Sequence, residues 1–270
     1  IGNPSSWLIA SPVEPKMIYQ NFKQNIVKIK MKELEELIEQ EEKEMLDINV
    51  VPHAKEFIKK AESRDDLQFS LVIYNALKKL IAKHQLNGLT IRCFDLVKKY
   101  KQTACLALAM LNEEGITSGC EGDVPSLITM HIVNSLTNRS SFMANPSKFN
   151  YEDNSIMLAH CTVPLNMVTS YKLMTHFESG LGIGVKGELP EGRITLCKIA
   201  PDYSLENTLC IPANLKENLS LEGYCRTQIS VALGEEGLLE ILKASFGNHI
   251  IVSYGDVYQD FLPLLSLLRR

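Results

Sequence analysis

Apolar residues recur at helical spacing through the first half of the chain and in short strand-like runs through the second. Residues 31–47 predict a helix. Leu34, Leu37, Ile38 and Met45 or Leu46 form a narrow apolar stripe on an otherwise acidic segment, which reads as a solvated outer face. A second helix is expected over about 52–61. A third follows Asp65–Asp66 and carries Leu71, Val72, Leu77, Leu80 and Ile81. The period then alternates. Residues 89–94 predict a strand followed by Asp95, and 104–111 a buried helix ending near Gly115. Residues 116–121 predict a strand followed by Asp123, 124–136 a helix, and 141–144 a third strand closed by Asn145–Pro146. Strands that alternate with helices imply parallel pairing and right-handed crossovers. That arrangement places Asp95, Asp123 and Asn145 at one sheet edge.

After about residue 155 the texture changes to runs at 156–161, 181–185, 193–197, 208–211, 227–231 and 250–254, separated by turns. Leu189-Pro-Glu-Gly192 suits a hairpin turn. The glycines at 180, 182, 184 and 187 lie in a strand pattern, not between a strand and a helix. They read as strand curvature rather than a phosphate loop. The expected fold is α/β: a three-layer parallel-sheet domain over 1–155, then a mostly antiparallel, barrel-like domain over 156–270 with a terminal helix near 258–268. Residues 7–11 (Trp-Leu-Ile-Ala-Ser) and 26–29 add short apolar runs near the start.

Composition narrows the function. With 45% hydrophobic and 22% charged residues, a 270-residue chain can bury a sizeable core. A net charge of -4 gives no electrostatic case for nucleic acid or an anionic membrane. No apolar run is long enough to span a bilayer. The opening Ile1-Gly-Asn-Pro has neither an initiator Met nor a basic region, so the chain is expected to start in mid-protein. Seven scattered cysteines without a C-x-x-C pair suit a reduced, cytoplasmic protein rather than a disulfide framework or a zinc site.

The chemistry converges on Cys120-Glu-Gly-Asp123-Val-Pro125. Asp123 reads as the helix N-cap, with Pro125 in the first turn. Two acids at a strand's carboxyl end also occupy the usual ligand edge of an α/β sheet. Of six histidines, His53, His84 and His131 fall on helices. His160, His176 and His249 fall at strand ends or in the β-rich half. Strand-end carboxylates with a strand-borne imidazole suit Mn²⁺ or Mg²⁺.

On these residues the chain resembles the L-fucose isomerase family. The matching segments, in the family's order, are Ile91-Arg-Cys-Phe94-Asp95, Cys120 to Pro125, Met157 to Pro164 and His176-Phe-Glu-Ser-Gly180. Gly192-Arg-Ile-Thr195, Gly247-Asn-His249 and Tyr254-Gly-Asp256 follow. L-Arabinose isomerase is a more distant relative of the same architecture. The resemblance covers a middle α/β domain and a C-terminal β domain, without a counterpart of the family's N-terminal domain. It implies a Mn²⁺-dependent aldose–ketose isomerase acting on a free sugar through an enediol, assembled as a homo-oligomer. It implies Asp95, Asp123 and His249 as metal ligands, with Asp95 standing where the family has glutamate. Asp123 and Asp95 become the acid–base pair, and Glu121 and His160 contact the sugar or orient the ligands. A catalytically silent sugar-binding homologue is the alternative, and a different metal-dependent enzyme on sugars or sugar acids a further one.

Overall fold

The structure is a computed structural model that describes residues 1–8, 14–44, 47–244 and 247–269. The later part of the apolar run at 7–11 and the Met45/Leu46 end of the first stripe lie outside the described residues.

The helical first half is laid out as α1 (Pro15–Phe22), α2 (Met31–Glu44), α3 (Ala54–Lys60), α4 (Arg64–His84), β1 (Gly88–Thr90), α5 (Phe94–Tyr100), α6 (Cys105–Glu113), β2 (Thr117–Gly119) and α7 (Val124–Thr137). The narrow stripe of α2 seats Leu34 and Ile38 in the core, while α4 buries Leu67, Leu71, Ile73, Tyr74 and Leu77. Helix α4 starts where the Ser63 side chain accepts from the Asp66 N–H, and it ends at Gln85 in the left-handed region. In α6 every residue from Cys105 to Asn112 is buried, which makes it the central helix of this half. Strands β1 and β2 pair in parallel, Gly88 against Thr117 and Thr90 against Gly119. The buried Asn112 side chain accepts from the Ser118 N–H and donates to the Ser118 carbonyl, so β2 finds side-chain partners where no third strand lies.

The remaining elements are β3 (Phe142–Asn150), β4 (Ser155–His160), β5 (Ser170–Met174), β6 (Gly184–Glu188), β7 (Gly192–Lys198), β8 (Leu209–Asn218), β9 (Thr227–Ala232), α8 (Gly234–Lys243), β10 (Ile250–Tyr254) and α9 (Tyr258–Leu268). Six of these strands close into a barrel in the order β10-β3-β4-β9-β8-β7, antiparallel throughout. Strands β5 and β6 form a separate hairpin-like pair.

The expected α/β architecture and antiparallel barrel are both present, with two corrections. The run at 141–144, expected as a third parallel strand, is the start of β3. It pairs antiparallel with β10 at Phe142–Val252 and Ala144–Ile250. Phe142, Met143 and Ala144 are buried in succession. Such a run fits a parallel sheet or a closed barrel equally well, and periodicity cannot separate them. The barrel therefore takes its first strand from before residue 155. The strand expected over 89–94 stops at Thr90. A tight turn at 91–93 follows, and Asp95 lies in the first turn of α5.

Buried residues of the helices, the parallel pair and the barrel form one contiguous core, from Leu34 and Leu71 through Leu108 and Phe142 to Ile229 and Val252. A smaller cluster packs α1, α7 and α9 against the outer face of β7 and β8 around Phe22, Val133 and Phe261. All seven cysteines are free thiols. Among the described residues, no helix is long and apolar enough to cross a membrane.

Candidate metal and sugar site

The loop from β2 to α7 is bent by two consecutive left-handed residues, Glu121 at φ +60° and Gly122 at φ +73°. A non-glycine residue in that region is strained, and such strain gathers at ligand sites. The loop is pinned from several sides. Ser5 N–H donates to the Glu121 carbonyl at 2.9 Å, and Gly122 N–H to the Ile91 carbonyl at 3.0 Å. The Thr90 hydroxyl donates to the Cys120 carbonyl at 3.1 Å. This bend presents the Glu121 side chain to one side and turns Asp123 inward.

Asp123 is buried and fully engaged. One carboxylate oxygen accepts from the Ser126 N–H at 2.9 Å, capping α7 as expected. The other accepts from the Ser126 hydroxyl and from His249 Nδ1, each at 2.8 Å. Burial alone would raise the Asp123 pKa. The His249 hydrogen bond and charge, with the two Ser126 bonds, outweigh it and hold the carboxyl below its ordinary range. An ionised carboxylate only accepts, so His249 donates to it from Nδ1, and Nε2 is the ring nitrogen left to face the cluster.

That Nε2 is buried and has no hydrogen-bond partner. It lies 3.9 Å from Glu121 Oε2, and the His160 ring stands edge-on to the His249 ring at 5.5 Å. Glu121, His160 and His249 each offer a ligand atom, all within 4.8 Å of one another. Two bonds of about 2.0–2.2 Å to one ion span at most about 4.4 Å, so the side chains would draw in slightly around an ion. A buried nitrogen without a partner, facing a carboxylate and a second imidazole, makes a group that could hold a metal ion. His160 Nδ1 pairs with the Thr162 hydroxyl at 2.8 Å. Burial, and then the neighbouring His249 and His176, push its pKa well below the usual value, so the ring is neutral at pH 7.

Of the residues singled out from sequence, the structure brings Glu121, Asp123, His160 and His249 together and leaves Asp95 out of the group. The Asp95 carboxylate is partly exposed and lies 3.4 Å from Arg92 Nε. Asp123 meets His249 across 126 residues of chain. Two contributors are new. The Trp7 indole N–H donates to Glu121 Oε2 at 2.9 Å, and the ring packs edge-on against Phe94 at 4.9 Å. The only tryptophan of the chain, half exposed, was the signal available. The buried Lys198 ammonium donates to the His249 carbonyl at 2.6 Å. Burial lowers its pKa to about 8, against the opposing pull of Asp123. Nothing in the local sequence marks it.

No family model matches the chain. It is similar to sulfoquinovose isomerases. Identity is 27% over 208 residues with that of Clostridium sp. (strain MSTE9), covering 73% of this chain and 46% of that protein. It is 25% over 211 residues with that of Priestia megaterium (strain ATCC 12872 / QMB1551), covering 74% and 46%. With that of Alkalicoccus urumqiensis it is 28% over 145 residues, covering 51% and 33%. The chain thus spans less than half the length of these relatives.

Asp123→Asn tests the orienting bond. The Ser126 N–H needs an acceptor, so the asparagine oxygen stays on it and the cap survives. The amide NH₂ then faces His249 Nδ1 and donates to it. The ring proton moves to Nε2 and removes the free lone pair. Divalent-metal affinity is expected to fall about 10- to 100-fold, measured by competition with a chelating dye, with little change in the melting temperature. An unchanged affinity would show that His249 is not oriented through Asp123.

Proposed function

We propose that the chain is the site-bearing part of a metal-dependent aldose–ketose isomerase acting on a free sugar, with sulfoquinovose the first substrate to test. The observation that carries this reading is the unpartnered, carboxylate-oriented Nε2 of His249 facing Glu121 and His160. The likeness to sulfoquinovose isomerases and the resemblance to L-fucose isomerases support the same reaction class independently of that geometry.

Glu121, His160 and His249 would hold the ion, and Asp123 orients His249 from behind. Mn²⁺ is the ion to try first for a set of imidazoles and one carboxylate. When bound, it supplies Lewis-acid polarisation of the sugar's carbonyl and hydroxyl oxygens.

The chain's own groups account for the rest. Isomerisation takes a proton from C2 and returns one to C1 through an enediol. Glu121 would serve here through Oε1, since Oε2 is the oxygen nearest His249 Nε2. One oxygen is held by the Trp7 indole, while the side chain keeps some exposure. Asp123 has both oxygens committed and is buried, which suits it to positioning. The Trp7–Phe94 pair offers an apolar face to the sugar ring.

The test is conversion of sulfoquinovose, and of a panel of aldoses and ketoses, by the full-length protein with and without chelator. The expected result is interconversion of an aldose and its ketose that chelator removes and Mn²⁺ restores. Sugar binding without turnover would assign the silent homologue instead.

A further inference from the structure

We propose that Arg226 is the specificity-determining residue of this site, recognising an anionic group on the sugar; this rests on the sugar-site reading above. Arg226 immediately precedes β9, whose first residue, Thr227, pairs with His160 in β4. Its own N–H points at Cys161 Sγ, 3.5 Å away, so its backbone is fixed beside the His160 strand. Its guanidinium donates from Nε to the Thr175 carbonyl at 2.7 Å and from Nη2 to the Thr175 hydroxyl at 3.0 Å. It also stands 6.0 Å from the centre of the Phe177 ring.

Thr175 and Phe177 flank His176, whose ring packs edge-on against Phe94 at 5.9 Å. Phe94 contacts Trp7, and Trp7 holds Glu121. Arg226 is therefore linked to Glu121 through a row of side chains, and its backbone lies beside the strand that carries His160.

The Arg226 guanidinium has no close ion-pair partner among the described residues: no carboxylate comes within 4 Å of it. Its two anchors are the carbonyl and hydroxyl of an uncharged residue. Among the described residues its remaining N–H groups find no protein partner, and the residue is half-buried. The nearby His176 is held below its ordinary pKa, first by burial and then by the Arg226 charge, so it adds no competing cation at neutral pH. A guanidinium held rigid by neutral anchors, with N–H groups to spare and no carboxylate within 4 Å, is suited to receive a planar or tetrahedral oxyanion.

The experiment is titration calorimetry on the full-length protein with three sugars of one skeleton: sulfoquinovose, glucuronate and neutral 6-deoxyglucose. The wild type is expected to bind at least one of the two anions about tenfold or more tighter than the neutral sugar. Arg226→Met should bring that ratio to about one, while the neutral sugar's affinity stays within about twofold. Whichever anion shows the preference identifies the group recognised. Arg226→Gln, which keeps a donor for Thr175 while removing the charge, gives the same reading should the methionine variant fail to fold. No anion preference in the wild type would overturn the proposal. A preference that survives in the variants would do the same. An equal weakening of all three sugars would overturn it too, since that is the mark of an arginine that only staples Thr175. Loss of the preference in a protein that interconverts none of these sugars would reject the isomerase and keep the receptor.

Discussion

His249→Ala in the full-length protein is expected to abolish stoichiometric divalent-ion binding and lower isomerase turnover by about 10³-fold or more. That is beyond the roughly 10- to 100-fold that follows loss of a supporting partner. The ring is fully buried, and among the described residues its Nε2 has no protein hydrogen-bond partner. Removing it deletes a ligand and leaves a void beside His160. The fold should survive. Asp123 keeps both Ser126 bonds, and Lys198 donates to the backbone carbonyl of residue 249, which alanine retains. The structural cost is one buried charge-assisted hydrogen bond, about 1.5–3 kcal/mol, with the void adding to it. Metal content by elemental analysis, alongside circular dichroism, checks both parts. A folded variant that still holds one equivalent of metal would place the ion elsewhere.

Gly122→Val should be the most damaging single change to stability near the site, on the order of 3 kcal/mol or more in urea unfolding. Two costs combine. Residue 122 sits at φ +73°, where a β-branched side chain is strongly disfavoured. A Cβ there would also stand 2.8 Å from Pro4 Cα and 3.1 Å from the Asn3 carbonyl oxygen. These are backbone atoms that cannot rotate away. Relief requires residues 3–5 to move, which breaks the Ser5 bond to the Glu121 carbonyl and draws Trp7 off the Glu121 carboxylate. Gly115→Val is the control, because Gly115 is at φ +82° with nothing within 4 Å of the added Cβ. It meets the backbone cost alone. Equal losses in the two variants would show that the close approach of Pro4 contributes nothing.

Much of this fold can be read from local pattern. The helix after Asp123 announces itself by an N-cap acid, a proline in the first turn and an apolar period, and α7 follows all three. Short strands with turns in the second half foretell an antiparallel barrel. What local pattern does not hold is closure. β10 pairs with both β7 and β3, and the latter begins more than a hundred residues earlier. The Asp95 placement shows the same boundary of inference. Ile91-Arg-Cys-Phe is β-prone by composition, yet Phe94 opens an amphipathic turn that ends in Lys98 and Lys99, and the helix wins. Glu121, Asp123, His160 and His249 could each be picked out as polar residues at element ends. Their division of labour could not, because it depends on which carboxylate is buried and already hydrogen-bonded.

The continuous core has a consequence for shuffling by recombination. Glu121 and Asp123 come from the turn after β2, and His160 and His249 from the barrel. A crossover point at any residue between 124 and 159 would deliver both carboxylates from one parent and both imidazoles from the other. Such a chimera would inherit each parent's spacing at only half of the site. It would also face a mismatched seam, since Leu108 of the helical half and Phe142 of the barrel belong to the same packed interior. Descent in this lineage should therefore leave the two halves travelling together as a single heritable block.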